Sequence, residues 1–158
     1  MIKNINDLEK TIKRFLKESK YINFPGTEDV NIIDKENEEL ANAIIKKGLN
    51  RKLETLNKGS YFELISKLKE LISKSGKTVE SISIIREDDY SDIPVEYFRA
   101  DCKTSRNCLG ELKIYLSELE DFNEVEDIFF IEPERDAIMV VYSTLNNVTY
   151  LLTVLLSI

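Results

Sequence analysis

The densest group of residues that could do chemistry is a run of carboxylates between positions 118 and 127. Its members are Glu118, Glu120, Asp121, Glu124, Glu126 and Asp127. Paired carboxylates can hold a divalent cation or transfer a proton. An EF-hand loop requires a central glycine at a fixed spacing, which this run lacks. The run is more typical of a docking surface for a basic protein, or of an acidic surface that is simply solvated.

A second acidic segment, residues 87–94, reads as a polar loop that contributes Asp88, Asp89 and Asp92. Residues 1–79 hold 16 Lys and Arg against 12 Asp and Glu, whereas residues 80–158 hold 6 against 17, a net charge of −11. Such an acidic half repels nucleic acid and anionic membranes and attracts basic partners. We therefore take these aspartates and the carboxylate run as candidate partner-binding residues, and expect no binding to nucleic acid or membrane.

Other motifs that resemble catalytic sites are incomplete. The chain has no histidine, which excludes Ser-His-Asp and Cys-His catalysis. Gly76-Lys77-Thr78 resembles the end of a phosphate-binding loop, but position 71, where that loop needs glycine, is leucine. We therefore interpret Gly76 as the end of a helix. Ser66 and Lys69 have the spacing of an acyl-transfer dyad without its companion Ser-Asp-Asn motif. We therefore expect a protein that is not an enzyme and that needs no cofactor or metal.

Cys102 and Cys108 flank a short segment that contains Lys103 and Arg106. Three interpretations are open: unpaired structural cysteines, a disulfide formed on oxidation, or a functional redox pair. The N-terminus lacks the apolar region of a secretory signal, and no apolar run reaches the ~18 residues of a membrane span. We therefore expect a cytoplasmic protein, and that compartment favours unpaired thiols.

The first half of the chain predicts helices. Apolar residues recur at helical spacing in three segments: residues 6–17, residues 34–47 before Gly48, and residues 60–75, which open with a capping box of Ser60 and Glu63. Residues 49–56 suggest a further short helix. The second half reads as strands over 79–86, 95–100 and 112–116, the last with a helix as the less favoured alternative.

Residues 127–158 have the pattern of a three-stranded antiparallel meander. Three apolar runs are separated by turn signals at 132–136 and at Asn146-Asn147. With those asparagines at the centre of a two-residue hairpin, Val141 faces Leu152 and Met139 faces Val154. Both faces of the hairpin are apolar, which predicts central strands covered on both sides. A terminal helix over 148–158 is the rival interpretation.

Together these patterns predict a single α+β domain, with N-terminal helices packed on a C-terminal antiparallel sheet that ends in a β-meander. The function that fits best is a small acidic, non-catalytic binding protein. More specifically, we expect an inhibitor of the immunity or antitoxin type that covers the basic site of a nuclease-like toxin. The alternatives are a carboxylate-based metal-binding domain or enzyme, and a general interaction module. The sequence does not indicate an oligomeric state.

Overall fold

The computed structural model describes most of the chain, namely residues 5–18, 20–21, 30–48, 50–52, 61–87, 94–103, 106–118, 122–131, 136–144 and 148–157. Within these residues the chain forms four helices and seven strands. Their order is α1 (Ile5–Glu18), β1 (Lys20–Tyr21), α2 (Val30–Lys47), β2 (Asn50–Lys52), α3 (Tyr61–Ser75), β3 (Thr78–Glu87), β4 (Pro94–Asp101), α4 (Cys108–Ser117), β5 (Phe122–Ile131), β6 (Ala137–Thr144) and β7 (Thr149–Ser157).

The seven strands form one sheet in the order β1-β4-β3-β7-β6-β5-β2. Neighbouring strands are antiparallel except for β1 and β4, which are parallel. β7 therefore lies at the centre of the sheet, between β3 and β6, and the short strands β1 and β2 form its two edges. The helices of the first half, together with this mainly antiparallel sheet and its terminal meander, confirm the predicted α+β class.

Helices α1 and α2 cover one face of the sheet. In α1 the buried residues Ile12, Phe15 and Leu16 follow the three- and four-residue spacing that places side chains on one side of a helix. Burying each such side chain contributes ~1.5–3 kcal/mol. The apolar cluster on this face comprises Ile12, Phe15, Leu16, Leu40, Ala41, Ala43, Ile44, Ile85, Ala137, Met139, Val141, Leu151 and Leu155.

Helices α3 and α4 cover the opposite face. The buried residues of α3 are Leu64, Ile65 and Leu68. They join a larger cluster whose strand residues are Ile82, Ile84, Ala100, Ile128, Ile138, Val140, Tyr142, Tyr150, Leu152, Val154 and Leu156. The central strands thus carry apolar side chains on both faces, which confirms the prediction that they are covered on both sides.

Two helices end at a glycine with a left-handed backbone, as predicted. Gly48 follows α2 with φ +73° and donates its N–H to the carbonyl of Ile44 at 2.7 Å. Gly76 follows α3 with φ +69°. Glycine adopts this conformation without the steric cost that a Cβ atom would add.

Among the described helices, none is both long and apolar enough to cross a lipid bilayer.

Three details of the first half differ from the prediction or lie outside the described residues. α2 begins at Val30, four residues before the predicted start of this helix at position 34. Residues Asn50–Lys52 form β2, an edge strand paired with β5, where the sequence predicted a short helix. Ser60, the first residue of the predicted capping box, lies outside the described residues, and the box stays a prediction.

The segment 112–116 is a helix, and the predicted strand there is wrong. Residues Cys108, Leu112 and Leu116 are buried at intervals of four, which places them on one side of α4. Ile114 lies between them in sequence but points outward, with 59% of its surface exposed. The apparent alternation of Leu112, Ile114 and Leu116 therefore combined two buried residues with an exposed one.

The β6–β7 hairpin forms as predicted, but its register differs by one residue. Val141 pairs with Leu151, not with Leu152, and Tyr142 pairs with Tyr150. Because side chains alternate between the two faces of a strand, a shift of one changes which residues lie side by side. Ile138, Val140 and Tyr142 consequently share their face with Leu152 and Val154.

Candidate partner-binding surface

Helix α4 presents an exposed face on which an apolar side chain lies between two carboxylates. Glu111, Ile114 and Glu118 are all exposed and are separated by three and four residues, so they follow one stripe along the helix. Glu111 lies in the first turn, where a negative charge is favoured by the helix dipole. Glu118 lies at the C-cap, where a negative charge is disfavoured. Helix stability therefore accounts for Glu111 but not for Glu118.

Helix α3 adds a second exposed apolar side chain to this surface. Phe62 is 54% exposed, and its ring stacks on that of Tyr61 with a centroid distance of 4.3 Å. Lys113 of α4 places its Nζ 4.9 Å from the centroid of the Phe62 ring, a cation–π contact that links the two helices. We call the set Phe62, Glu111, Lys113, Ile114 and Glu118 the α3–α4 surface.

The start of α4 is fixed to β4 by a disulfide between Cys102 and Cys108, whose Cα atoms are 5.3 Å apart. The preference for unpaired thiols is therefore wrong, and the open alternative of a disulfide is the one that the structure contains. Cys102 also donates its backbone N–H to the carbonyl of Glu80 at 3.1 Å, and Lys103 forms an ion pair with the Glu80 carboxylate at 2.7 Å. These contacts hold the β4–α4 connection against β3.

From this anchor α4 runs back along β4 towards the end of the sheet where β4 begins. The ring of Tyr115 lies 5.0 Å from that of Phe98, which precedes Asp101 by three residues in β4. Glu118 donates its backbone N–H to the carbonyl of Ile114 at 3.2 Å. Glu118, the first member of the carboxylate run, is thereby placed at the exposed end of α4.

The other predicted site residues are not described as side chains. Asp88, Asp89, Asp92, Glu120 and Asp121 lie outside the described residues. Glu124, Glu126 and Asp127 belong to the backbone of β5, in which Glu124 is opposite Ser143 and Asp127 is opposite Val141 of β6. Their assignment to a partner-binding site stays a prediction. The predicted site contained Glu118 but none of the other members of the α3–α4 surface. Ile114 was missed because the predicted strand over 112–116 treats it as a core residue.

A second polar group that the sequence did not single out lies at the end of β3. Arg86 donates from Nη1 to the Tyr150 hydroxyl at 3.2 Å and from Nη2 to the Tyr97 hydroxyl. Its guanidinium carbon also lies 4.2 Å from the centroid of the Tyr97 ring and 5.7 Å from that of Tyr150. Burial lowers the pKa of Arg86 and the hydrogen bonds to Tyr150 and Tyr97 raise it, with a net value above the ordinary one. The Tyr150 ring in turn stacks on Tyr142 at 5.0 Å.

The motif Gly76-Lys77-Thr78 has a structural role. It joins α3 to β3, and Lys77 forms an ion pair with Asp136, just before β6. The ion pair connects the start of β3 to the start of β6. Gly76 itself lies at the end of α3, in agreement with its assignment to a helix end. Within the described part of the chain, no group of three or more Cys, Asp or Glu side chains is placed to hold a metal ion.

Comparison of the chain with protein-family models, with curated proteins and with solved structures finds no significant match.

Proposed function

We propose that this chain is a small acidic binding protein whose partner is a basic protein, and that it acts as an inhibitor of the immunity or antitoxin type. The observation that carries the proposal is the exposed stripe of α4, where Ile114 lies between Glu111 and Glu118. Protein interfaces commonly combine a desolvated apolar centre with a polar rim. This stripe has both parts, and it leads into the most acidic part of the sequence.

The charge distribution supports a basic partner. The half of the chain that contains α4 carries a net charge of −11. Charge of one sign accelerates the encounter with an oppositely charged protein and discourages partners of like charge. In this proposal Glu118 at the C-cap of α4 serves binding, which accounts for a charge that the helix dipole disfavours. We expect Asp88, Asp89, Asp92 and the rest of the carboxylate run to add negative charge that attracts the same partner.

The first experiment tests the surface. The wild-type protein is immobilised, a partner is captured from a lysate of the native host, and association and dissociation rates are measured with the purified partner. We expect Ile114→Asp to increase the dissociation constant at least about ten-fold, because it places a charge in the apolar centre of the interface. The matched control is Ile45→Asp, because Ile45 is 50% exposed on α2, on the opposite face of the sheet. If both variants bind like the wild type, the α3–α4 surface is not the interface.

The second experiment tests the charges. In the proposed complex Glu118→Lys slows association, and so does the triple variant Glu120→Lys/Asp121→Lys/Glu124→Lys, while both melt within ~0.5 kcal/mol of the wild type. The wild-type on-rate falls steeply with salt, since the screening length shrinks from ~30 Å at 0.01 M to ~3 Å at 1 M. An unchanged on-rate and salt dependence would mean that these carboxylates are only a solvated surface.

A toxicity assay separates an inhibitor from a general interaction module. We expect the captured partner to arrest growth when it is expressed alone, and co-expression of the wild-type chain to restore growth. Co-expression of the Ile114→Asp variant should restore it less, whereas the Ile45→Asp variant should restore it fully. A partner that binds at this surface but is harmless on its own would contradict the inhibitor assignment and leave a general binding role.

A further inference from the structure

A cluster of hydrogen-bond donors lies where β3 ends and where β4 and β7 begin. Arg86, Tyr97 and Tyr150 meet there, and both phenolic oxygens accept a hydrogen bond from the guanidinium. A hydroxyl that accepts in this way retains its own proton to donate. Within the described residues, the hydrogen bond and the ring contact of Tyr97 are both with Arg86. The cluster therefore contains a cation and a phenolic proton that has no acceptor among these residues.

The charge of Arg86 also lacks a counter-ion in the described part of the chain. No described carboxylate forms an ion pair with it, although the protein as a whole is acidic. Its Nε–H is buried and has no acceptor among the described residues. A buried donor without an acceptor costs ~1–3 kcal/mol, and the cost is greater for a charged group. Stacking on the Tyr97 ring offsets part of this cost but does not supply a negative charge.

From these observations we propose that Arg86, Tyr97 and Tyr150 form a binding site for an oxyanion, either a phosphate or a carboxylate group. The half-buried guanidinium supplies the positive charge, and the Tyr97 hydroxyl supplies a neutral donor beside it. A hydrogen bond between the guanidinium and an oxyanion is shorter and stronger than one between neutral groups. The overall negative charge of the protein opposes anion binding at long range, so that binding depends on these short-range contacts. The proposal does not depend on the α3–α4 surface.

The test is a titration of the full-length protein with inorganic phosphate and, separately, with acetate, followed by ¹⁵N–¹H NMR. Sodium chloride at matched ionic strength is the reference for non-specific effects. We expect saturable shifts of the Arg86 Nε–H signal and of the Tyr97 amide signal with at least one of the two anions. The anion that binds more tightly identifies the ligand as a phosphate or as a carboxylate.

Two variants tie the binding to the cluster. Arg86→Lys retains the charge but removes the planar fork, and it should weaken the tighter-binding anion about ten-fold or more. Tyr97→Phe retains the ring that stacks on Arg86 and removes only the hydroxyl, so that it decides the matter if the Arg86 variant does not fold. Arg106→Lys is the control, because Arg106 is an exposed arginine outside the cluster. The proposal is overturned if neither anion causes larger shifts than chloride, or if Tyr97→Phe binds with wild-type affinity.

Discussion

Opening the disulfide between Cys102 and Cys108 should lower the free energy of unfolding by about 2 kcal/mol. The bond closes a loop with a sequence separation of 6, and the chain-entropy relation gives about that value for so short a loop. For a chain of this size the corresponding decrease in melting temperature is roughly 4–8 °C. The protein should stay folded, because Leu112 and Leu116 hold α4 on the sheet through contacts that do not involve the sulfurs.

The measurement is a pair of thermal melts, with and without reductant, preceded by a thiol titration that verifies the bond. The control is the double variant Cys102→Ala/Cys108→Ala, which should melt at one temperature under both conditions and thus reports any effect of the reductant itself. Equal melting temperatures for the oxidised and reduced wild type, with the bond verified, would refute the estimate. A loss of cooperative melting on reduction would refute the claim that α4 is held by its apolar side chains.

Three further predictions concern the core and a helix end. Leu152→Ala should lower the free energy of unfolding by ~2–5 kcal/mol in urea denaturation, because Leu152 is fully buried in the central strand. Deletion of residues 151–158 removes most of this strand and should yield an insoluble or molten product. A soluble truncated protein that melts cooperatively would contradict this. Gly76→Ala should cost about 1 kcal/mol for backbone reasons alone, since an added Cβ meets nothing within 4 Å while φ is +69°. An unchanged denaturation midpoint would mean that the backbone relaxes to another conformation.

The strands of the meander could be predicted from the sequence, but the register of the hairpin could not. Residues 137–142 and 150–156 are apolar or aromatic at nearly every position, which predicts strands that are covered on both sides. The same pattern removes the evidence for register. Since both faces are apolar, the pairing of Val141 with Leu151 buries about as much as the predicted pairing with Leu152. The choice is therefore made by tertiary packing.

The helix α4 was missed because one exposed residue fell in phase with a strand pattern. Leu112 and Leu116 are compatible with both a helix and a strand, and Ile114 favoured the strand. Its exposure in the structure makes it both the source of that error and the central residue of the proposed binding surface. A sequence pattern alone cannot distinguish an exposed apolar residue such as Ile114 from a buried one.

The cluster of Arg86, Tyr97 and Tyr150 could not be predicted because its members are distant in sequence. Arg86 and Tyr150 meet only because β7 pairs with β3, and Tyr97 joins them through β4. The disulfide joins cysteines only six positions apart, and the sequence left it open among three interpretations. The sequence showed the charge asymmetry and Glu118, but not the apolar side chains that accompany it on the surface.

The position of β7 has a consequence for the way in which this protein is made. β7 is the last of the seven strands to leave the ribosome, yet it pairs with both β3 and β6 and contributes side chains to both apolar clusters. Translation adds roughly 5–20 residues per second, so β3 is synthesised seconds before its central partner exists. During that interval each helix pair has only part of a sheet to pack on, and the facing edges of β3 and β6 are open to pairing with other chains. We therefore expect the nascent chain to depend on protection from aggregation until its final strand is inserted between strands that are already present.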